Sequence, residues 1–227
     1  MLAPVDYATQ LTHDAELLHL QAVGEANEPT VDAVLVDDPR IAVFDAVLRD
    51  PFAYARDARS TESQTYLVGD VEWHGLSACV QTEFTDWLCR VRPDLTPSLS
   101  LIRRSPLGQV EPNYIHTDRD MGDWTAILYL TDTPDTDDGT DFWRHRWSGA
   151  TDSSAVSAMD KLNEGQAWRD LSQWALRAHV PAVFNRAIIF PASLFHSRAI
   201  YANYGVGTES RLTQVVFCKA RGSICQQ

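Results

Sequence analysis

The sequence predicts a mainly β chain with flanking helices, an α+β arrangement whose centre is a sandwich or barrel. Three observations carry that expectation. From "SLSLIRRSP", which begins at residue 98, short runs rich in Val, Ile, Phe, Tyr and Thr recur between clusters of Gly, Pro, Asp and Asn. Before that point the apolar residues fall three and four apart, the period of a helix. The 227 residues are 44% hydrophobic and include seven Trp, seven Tyr and eight Phe, enough to fill one sizeable interior. The chain is therefore expected to be one domain over 1–227, with a mainly helical flank over 1–97 and a strand-rich core over 98–220.

Along the chain, "DAELLHLQAV" reads as a short helix ended by Gly24 and Pro29. "VDAVLVDD" follows as a strand, since Val and Leu dominate a short run that stops at acidic residues. "RIAVFDAVLRDPFAYARDARS" predicts two short helices around Pro51, whose missing N–H suits a helix start. "SACVQTEFTDWLCRVRP" predicts an amphipathic helix stopped by Pro93. Strands are then expected over 98–104, 110–115, "WTAILYLT", "GTDFWRH", "RAIIFPA" and "RLTQVVFCKA". Residues 147–180 interrupt the series. They read as a polar loop followed by a helix carrying Trp168, Leu171, Trp174, Ala175 and Ala178, an insertion long enough to serve as a lid.

A formal charge of −12 and a pI near 4.9 argue against a nucleic-acid or anionic-membrane partner, because both need clustered Lys and Arg. The two dense cationic stretches, "RVRPDLTPSLSLIRRSP" and "FWRHRW", read as solvated or salt-bridged strand ends. "MLAPVDYATQLTHDAELLHL" has no basic stretch followed by an apolar run, and no window approaches the ~18 apolar residues of a membrane span. A soluble, cytoplasmic protein is expected. Cys79, Cys89, Cys218 and Cys225 show no CxxC or CxxH spacing, so they read as buried or free thiols of a reducing compartment.

The chemistry concentrates in "NYIHTDRD". His116 and Asp118 are two residues apart, so an extended backbone points both side chains to one face and lets them converge on a single ion. Two ligands do not make a site. A facial triad of two His and one carboxylate, the pattern of non-haem iron oxygenases, needs one more imidazole. His196 fits best, because "AIIFPASLFHSRAI" sets it just after an apolar strand. "ESRLTQVVF" puts Arg211 and Thr213 on one face of a last core strand, a guanidinium and a hydroxyl for a small carboxylate. Tyr129 on "AILYLTD" offers a phenol to the same group, and Arg198, which would share a face with His196, competes with Arg211. Singly, Arg211 reads as a salt-bridge partner and Tyr129 as a core aromatic. Arg144 and Arg146 could reach a cavity, while alternation sends His145 to the opposite face. Asn113 and Tyr114 flank the metal pair, and Trp124, Phe142 and Trp143 read either as an aromatic wall or as core.

The order of HxD, a strand with Tyr, a Gly turn before "TDFWRHR", a distal His and then Arg-x-Thr resembles the iron(II)- and 2-oxoglutarate-dependent dioxygenases, especially their prolyl-hydroxylase-like branch. The resemblance covers about residues 98–220. "FNRAIIFPASLFHS", with its Asn-Arg pair ahead of the strand to the distal His, is similar to uncharacterised members of that branch, and "VFDAVLRDPFAYARDA" is similar to their helical lead-in. The resemblance implies a double-stranded β-helix, a jelly-roll or cupin-like barrel. It implies Fe(II) on the catalytic residues His116, Asp118 and His196. It further implies 2-oxoglutarate as cosubstrate on Arg211, assisted by Tyr129 and Thr213. Arg211 follows His196 by 15 residues, against about ten in the family, so "IYANYGVGTES" makes a longer connection. The implied oxidoreductase activity is hydroxylation of a substrate C–H bond with release of succinate and CO2, the carboxylate Asp118 being the ligand that related halogenases lack. The substrate would be a peptide or protein side chain or a small molecule. Two other readings stand beside it: a non-catalytic jelly-roll protein that binds a metal and a carboxylate, and an interaction module built on the 147–180 aromatics.

Overall fold

The computed structural model describes residues 38–68, 71–105, 115–132, 137–154, 170–199 and 211–222. The expected helix at 14–23, all but the last residue of the expected strand over 31–38, most of the strand at 110–115, and Asn113, Tyr114, Trp168 and Cys225 lie outside these residues.

Period-two alternation sorts the apolar side chains onto two faces, and two antiparallel sheets follow from it. The larger sheet contains β1 (Ala42–Phe44), β2 (Gln64–Val68), β3 (Val71–Ala78), β4 (Leu95–Ser105), β5 (Trp124–Tyr129), β8 (Ala187–Pro191) and β10 (Arg211–Ala220). Their order is β1-β8-β5-β10-β4-β3-β2. The smaller sheet contains β6 (Gly139–His145), β7 (Trp174–Pro181) and β9 (His196–Arg198) in the order β7-β6-β9. Ile127, Tyr129, Ile188 and Phe190 from the larger sheet meet Phe142, Ala178 and Val180 from the smaller one. The two sheets thus face one another as a double-stranded β-helix, with Tyr129, Phe142, Ile188 and Phe190 nearly inaccessible between them.

The opposite face of the larger sheet carries the second core. Ala126, Leu128, Ile189, Leu212 and Val216 pack there against two helices, α1 (Pro51–Ser60) and α2 (Glu83–Val91). α1 begins where Pro51 predicts, its N-terminus capped by Asp50, whose side chain accepts from Ala53 N–H at 2.9 Å. α2 docks through Phe84, Trp87 and Leu88. Phe84 and Leu88 are fully buried, and each such side chain contributes about 1.5–3 kcal/mol of apolar transfer. Among the described residues no helix is long and apolar enough to cross a membrane.

Three expectations need correction. The flank over 1–97 is not mainly helical in its described part, since β1, β2, β3 and the start of β4 all lie within it. "RIAVF" is strand because Ala42 and Phe44 face the helix-side core while Ile41 and Val43 face the inter-sheet core, which is alternation rather than a helical stripe. Trp174, Ala175 and Ala178 are on strand β7 and not on a helix, and the described residues just before them form a short 3-10 turn at Leu171–Gln173. The Ala-rich "WALRAHV" has helical propensity, but its pairing with β6 along the whole strand overrides it.

A candidate metal centre between two sheets

The site begins with a backbone event. His116 and His196 exchange both main-chain hydrogen bonds, N–H to carbonyl at 3.0 and 2.9 Å, as an isolated antiparallel bridge at the end of β9. Two imidazoles 80 positions apart in sequence are thereby set side by side, ring centroids 4.4 Å apart. Asp118 N–H donates to the Ala192 carbonyl at 2.8 Å, which holds the second half of the HxD pair against the turn leading to His196.

The side chains then converge. His116 Nε2 lies 3.5 Å from Asp118 Oδ1 and His196 Nε2 lies 3.3 Å from Asp118 Oδ2. One ligand atom from each of the three residues falls within 4.8 Å of the others. His196 Nδ1 is 2.9 Å from the Leu194 carbonyl, so that nitrogen carries a proton and Nε2 is left facing the centre, where it can donate to Asp118 or, once deprotonated, offer its lone pair to a metal ion. Thr125, the first inward-facing hydroxyl of β5, donates to Asp118 Oδ2 at 2.8 Å and fixes the carboxylate. Phe190 and Phe142 flank the His196 ring at 4.8 and 6.3 Å.

Electrostatics match the geometry. Burial alone would raise the Asp118 carboxyl, yet the charge of His196 and hydrogen bonds from both imidazoles outweigh it and hold the group well below the usual carboxylate range. Burial likewise works against the charged form of His196, and the Asp118 carboxylate overcomes it, so His196 is raised. The cluster favours positive charge at its centre, as a proton or as a metal ion. Two imidazoles and one carboxylate on one side of an ion are the donor set of a facial triad with open positions opposite.

Along β5 the same interior face runs from Thr125 through Ile127 to Tyr129, and Tyr129 is cross-strand from Thr213 on β10. Tyr129 and Thr140 hydroxyls are 2.7 Å apart, and burial pushes the phenol up, so Tyr129 stays protonated. Arg211, two residues before Thr213, shares its face and is 6% exposed. Its guanidinium meets a partner the sequence reading missed: Nε donates to Asp138 Oδ1 at 2.9 Å and Oδ2 at 2.6 Å. Arg198 sits cross-strand from Thr140 and reaches over to β4, donating from Nη1 to Ser105 Oγ at 3.0 Å; Ser105 is in turn cross-strand from Arg211. Arg198 and Arg211 therefore approach one patch of the interior from opposite sheets.

The other candidates separate from the site. His145 turns away from the interior and packs on Trp174, ring centroids 5.1 Å apart, and Arg146 Nε donates to the Trp174 carbonyl at 2.6 Å. Arg144 is exposed. Phe142 belongs to the inter-sheet core, Trp143 to a cluster with Ile115, Trp174 and Phe195, and Trp124 to the helix-side core. The Asn-Arg pair before β8 is a brace: Asn185 bonds Leu48 N–H and carbonyl at 2.8 and 3.0 Å, and Arg186 grips Asp45 at 2.6 and 2.9 Å.

Over residues 27–218 the sequence matches the profile of a family described as Family of unknown function (DUF6445). Among curated proteins none matches. Similar solved structures include SnoN, described as a non-heme alpha ketoglutarate dependent epimerase from nogalamycin biosynthesis, with TM-score 0.53 and 16% identity over 90% of this chain and 82% of that one. AviO1 from Streptomyces viridochromogenes Tue57 gives TM-score 0.52 and 13% identity over 81% of this chain and 90% of that one. SnoK, described as a non-heme alpha ketoglutarate dependent carbocyclase from nogalamycin biosynthesis, gives TM-score 0.51 and 14% identity over 85% and 87%. These likenesses are likenesses of fold.

Proposed function

The chain belongs to the family of unknown function DUF6445, and for this member we propose an Fe(II)- and 2-oxoglutarate-dependent oxygenase that hydroxylates a substrate C–H bond and releases succinate and CO2. The observation that carries the reading is the convergence of His116, Asp118 and His196 at one end of an interior face whose other end carries Tyr129, Thr213 and Arg211. A chelating two-carbon end and a distal carboxylate match those two ends. SnoN and SnoK, which share the fold, are described as alpha ketoglutarate dependent, and this supports the choice of cosubstrate.

The donor set fits a divalent iron, and bound there with the oxoacid it would supply oxygen activation coupled to decarboxylation. The chain's own residues do the rest. His116, Asp118 and His196 would hold the ion, with Thr125 and the Leu194 carbonyl locking the orientation of Asp118 and His196. Arg211 and Thr213 receive the distal carboxylate, and the protonated Tyr129 can donate to it. Ile127, Phe142, Ile188 and Phe190 keep water from the space between the sheets.

On the motif order over 98–220 we place the chain in the prolyl-hydroxylase-like branch, with a peptide or protein side chain or a small molecule as substrate. Cys79, Cys89 and Cys218 are free thiols, which favours a reducing compartment such as the cytoplasm. The deciding experiment supplies Fe(II), 2-oxoglutarate and oxygen with a panel of candidate substrates and follows succinate together with product mass. Gain of one oxygen atom supports hydroxylation, unchanged mass points to epimerisation, and loss of two hydrogens points to oxidative ring closure. Succinate absent across metals and substrates would favour a binding protein of the same fold.

A further inference from the structure

We propose that Asp138 is a positioning residue for the cosubstrate, holding Arg211 by Nε so that the Nη edge of the guanidinium is turned to the distal carboxylate of 2-oxoglutarate. This rests on the reading of 2-oxoglutarate as cosubstrate. Both oxygens of Asp138 accept from the single Nε–H, at 2.9 and 2.6 Å, and both side chains are about as buried as the core, 6% and 7% exposed. With Nε–H taken, a carboxylate arriving on the same guanidinium can make a two-point contact only through Nη1 and Nη2.

Asp138 is itself fixed from several sides. Its Oδ1 also accepts from Gly139 N–H at 2.7 Å, its carbonyl accepts from Ala182 N–H at 2.8 Å, and the adjoining Gly139 carbonyl accepts from Ala199 N–H at 3.1 Å. The anchor is thus tied to β6, to the chain following β7 and to the residue following β9. Gly139 permits this: a Cβ there would lie 2.1 Å from the Val180 carbonyl oxygen. The contrary possibility is that Asp138 stands where the cosubstrate carboxylate belongs and must be displaced. The two differ in sign, because removing a positioning anchor weakens binding and removing a competitor strengthens it.

Asp138→Asn keeps the volume but replaces one oxygen by an NH2 group. Whichever way the amide lies, a donor then faces Arg211 Nε–H or Gly139 N–H, and the arginine loses its clamp. Calorimetry on the anaerobic, metal-loaded protein compares 2-oxoglutarate with 2-oxobutanoate, which keeps the chelating end and lacks the distal carboxylate. The expected result is 2-oxoglutarate binding weaker by about tenfold or more, by analogy with other outer-shell partners, with 2-oxobutanoate and metal affinity unchanged. Unchanged or tighter 2-oxoglutarate binding, or equal weakening of both acids, overturns the proposal. If the wild-type protein binds neither acid, the cosubstrate reading fails with it; if it binds both and the variant does not differ, only the role of Asp138 fails. Should the variant not fold, the Nε–H resonance of Arg211 in the wild-type protein loaded with Zn(II) decides. It should persist, hydrogen-bonded, when 2-oxoglutarate is added, and its loss would mean that Asp138 has been displaced.

Discussion

Thr125 shows how much of the site depends on a side chain with no chemistry of its own. Its hydroxyl is the partner that keeps Asp118 Oδ2 in place, 2.8 Å away, from the start of β5. Thr125→Val preserves shape and removes that donor, and we expect metal affinity to fall by about 10–100-fold with the fold intact, as read from Co(II) or Fe(II) titration. Equal affinity in the two proteins would show that the carboxylate needs no help. The three triad residues were legible because the HxD spacing forces two side chains to one face and the apolar run before His196 marks a buried strand end. Thr125 was not legible, since a threonine in a β-rich run is ordinary strand composition. Asp138 was hidden for a related reason. In "TDDG" nothing local distinguishes the exposed Asp137 from the buried Asp138, and only the β6–β10 juxtaposition selects one.

At the scale of elements, the smaller sheet is held by more than its backbone ladder. His179 on β7 and Asp141 on β6 are cross-strand partners, with Nδ1 2.7 Å from Oδ1. The hydrogen bond that His179 donates to Asp141, against some loss from burial, raises the His179 pKa above its ordinary value. A histidine raised in the folded state contributes its stability in full below the unfolded pKa of about 6.5, and that contribution is lost as pH rises through the folded value. The imidazole resonances of His179 should therefore titrate above the free-histidine midpoint, and Asp141→Asn should bring the midpoint down; an unmoved midpoint would show the pair to be idle. β7 is also where sequence reading went furthest astray. Trp174 and Ala178 are four apart and suggest one helical face, whereas Trp174 lies on the outer face of the strand and Ala178 on the inner one. A bulge between Phe142 and Trp143 of the pairing shifts the register between them, and such a shift has no local signature.

For the molecule as a whole, the strand series of the second half was readable and its extension into the first half was not. β1 is three residues long, and β2 and β3 join the larger sheet at its far edge, so their pairing depends on neighbours distant in sequence. Asn185 links these parts, because its buried amide replaces a missing backbone partner for Leu48 between β1 and α1 while adopting φ of 65°. Asn185→Ala strands both backbone groups of Leu48 and strains the left-handed residue. A loss of about 2–4 kcal/mol is expected by urea denaturation; a loss under about 0.5 kcal/mol, the level of an ordinary surface change, would contradict the brace. In the proposed function, two facing sheets gather an iron site and a cosubstrate site on one interior face. Anaerobic titration of the apo-protein with Fe(II) and then 2-oxoglutarate tests it most directly. A weak visible charge-transfer band from the chelated oxoacid is expected, absent in His116→Ala and weakened in Arg211→Ala. A folded, metal-loaded wild-type protein that gives no band would contradict it.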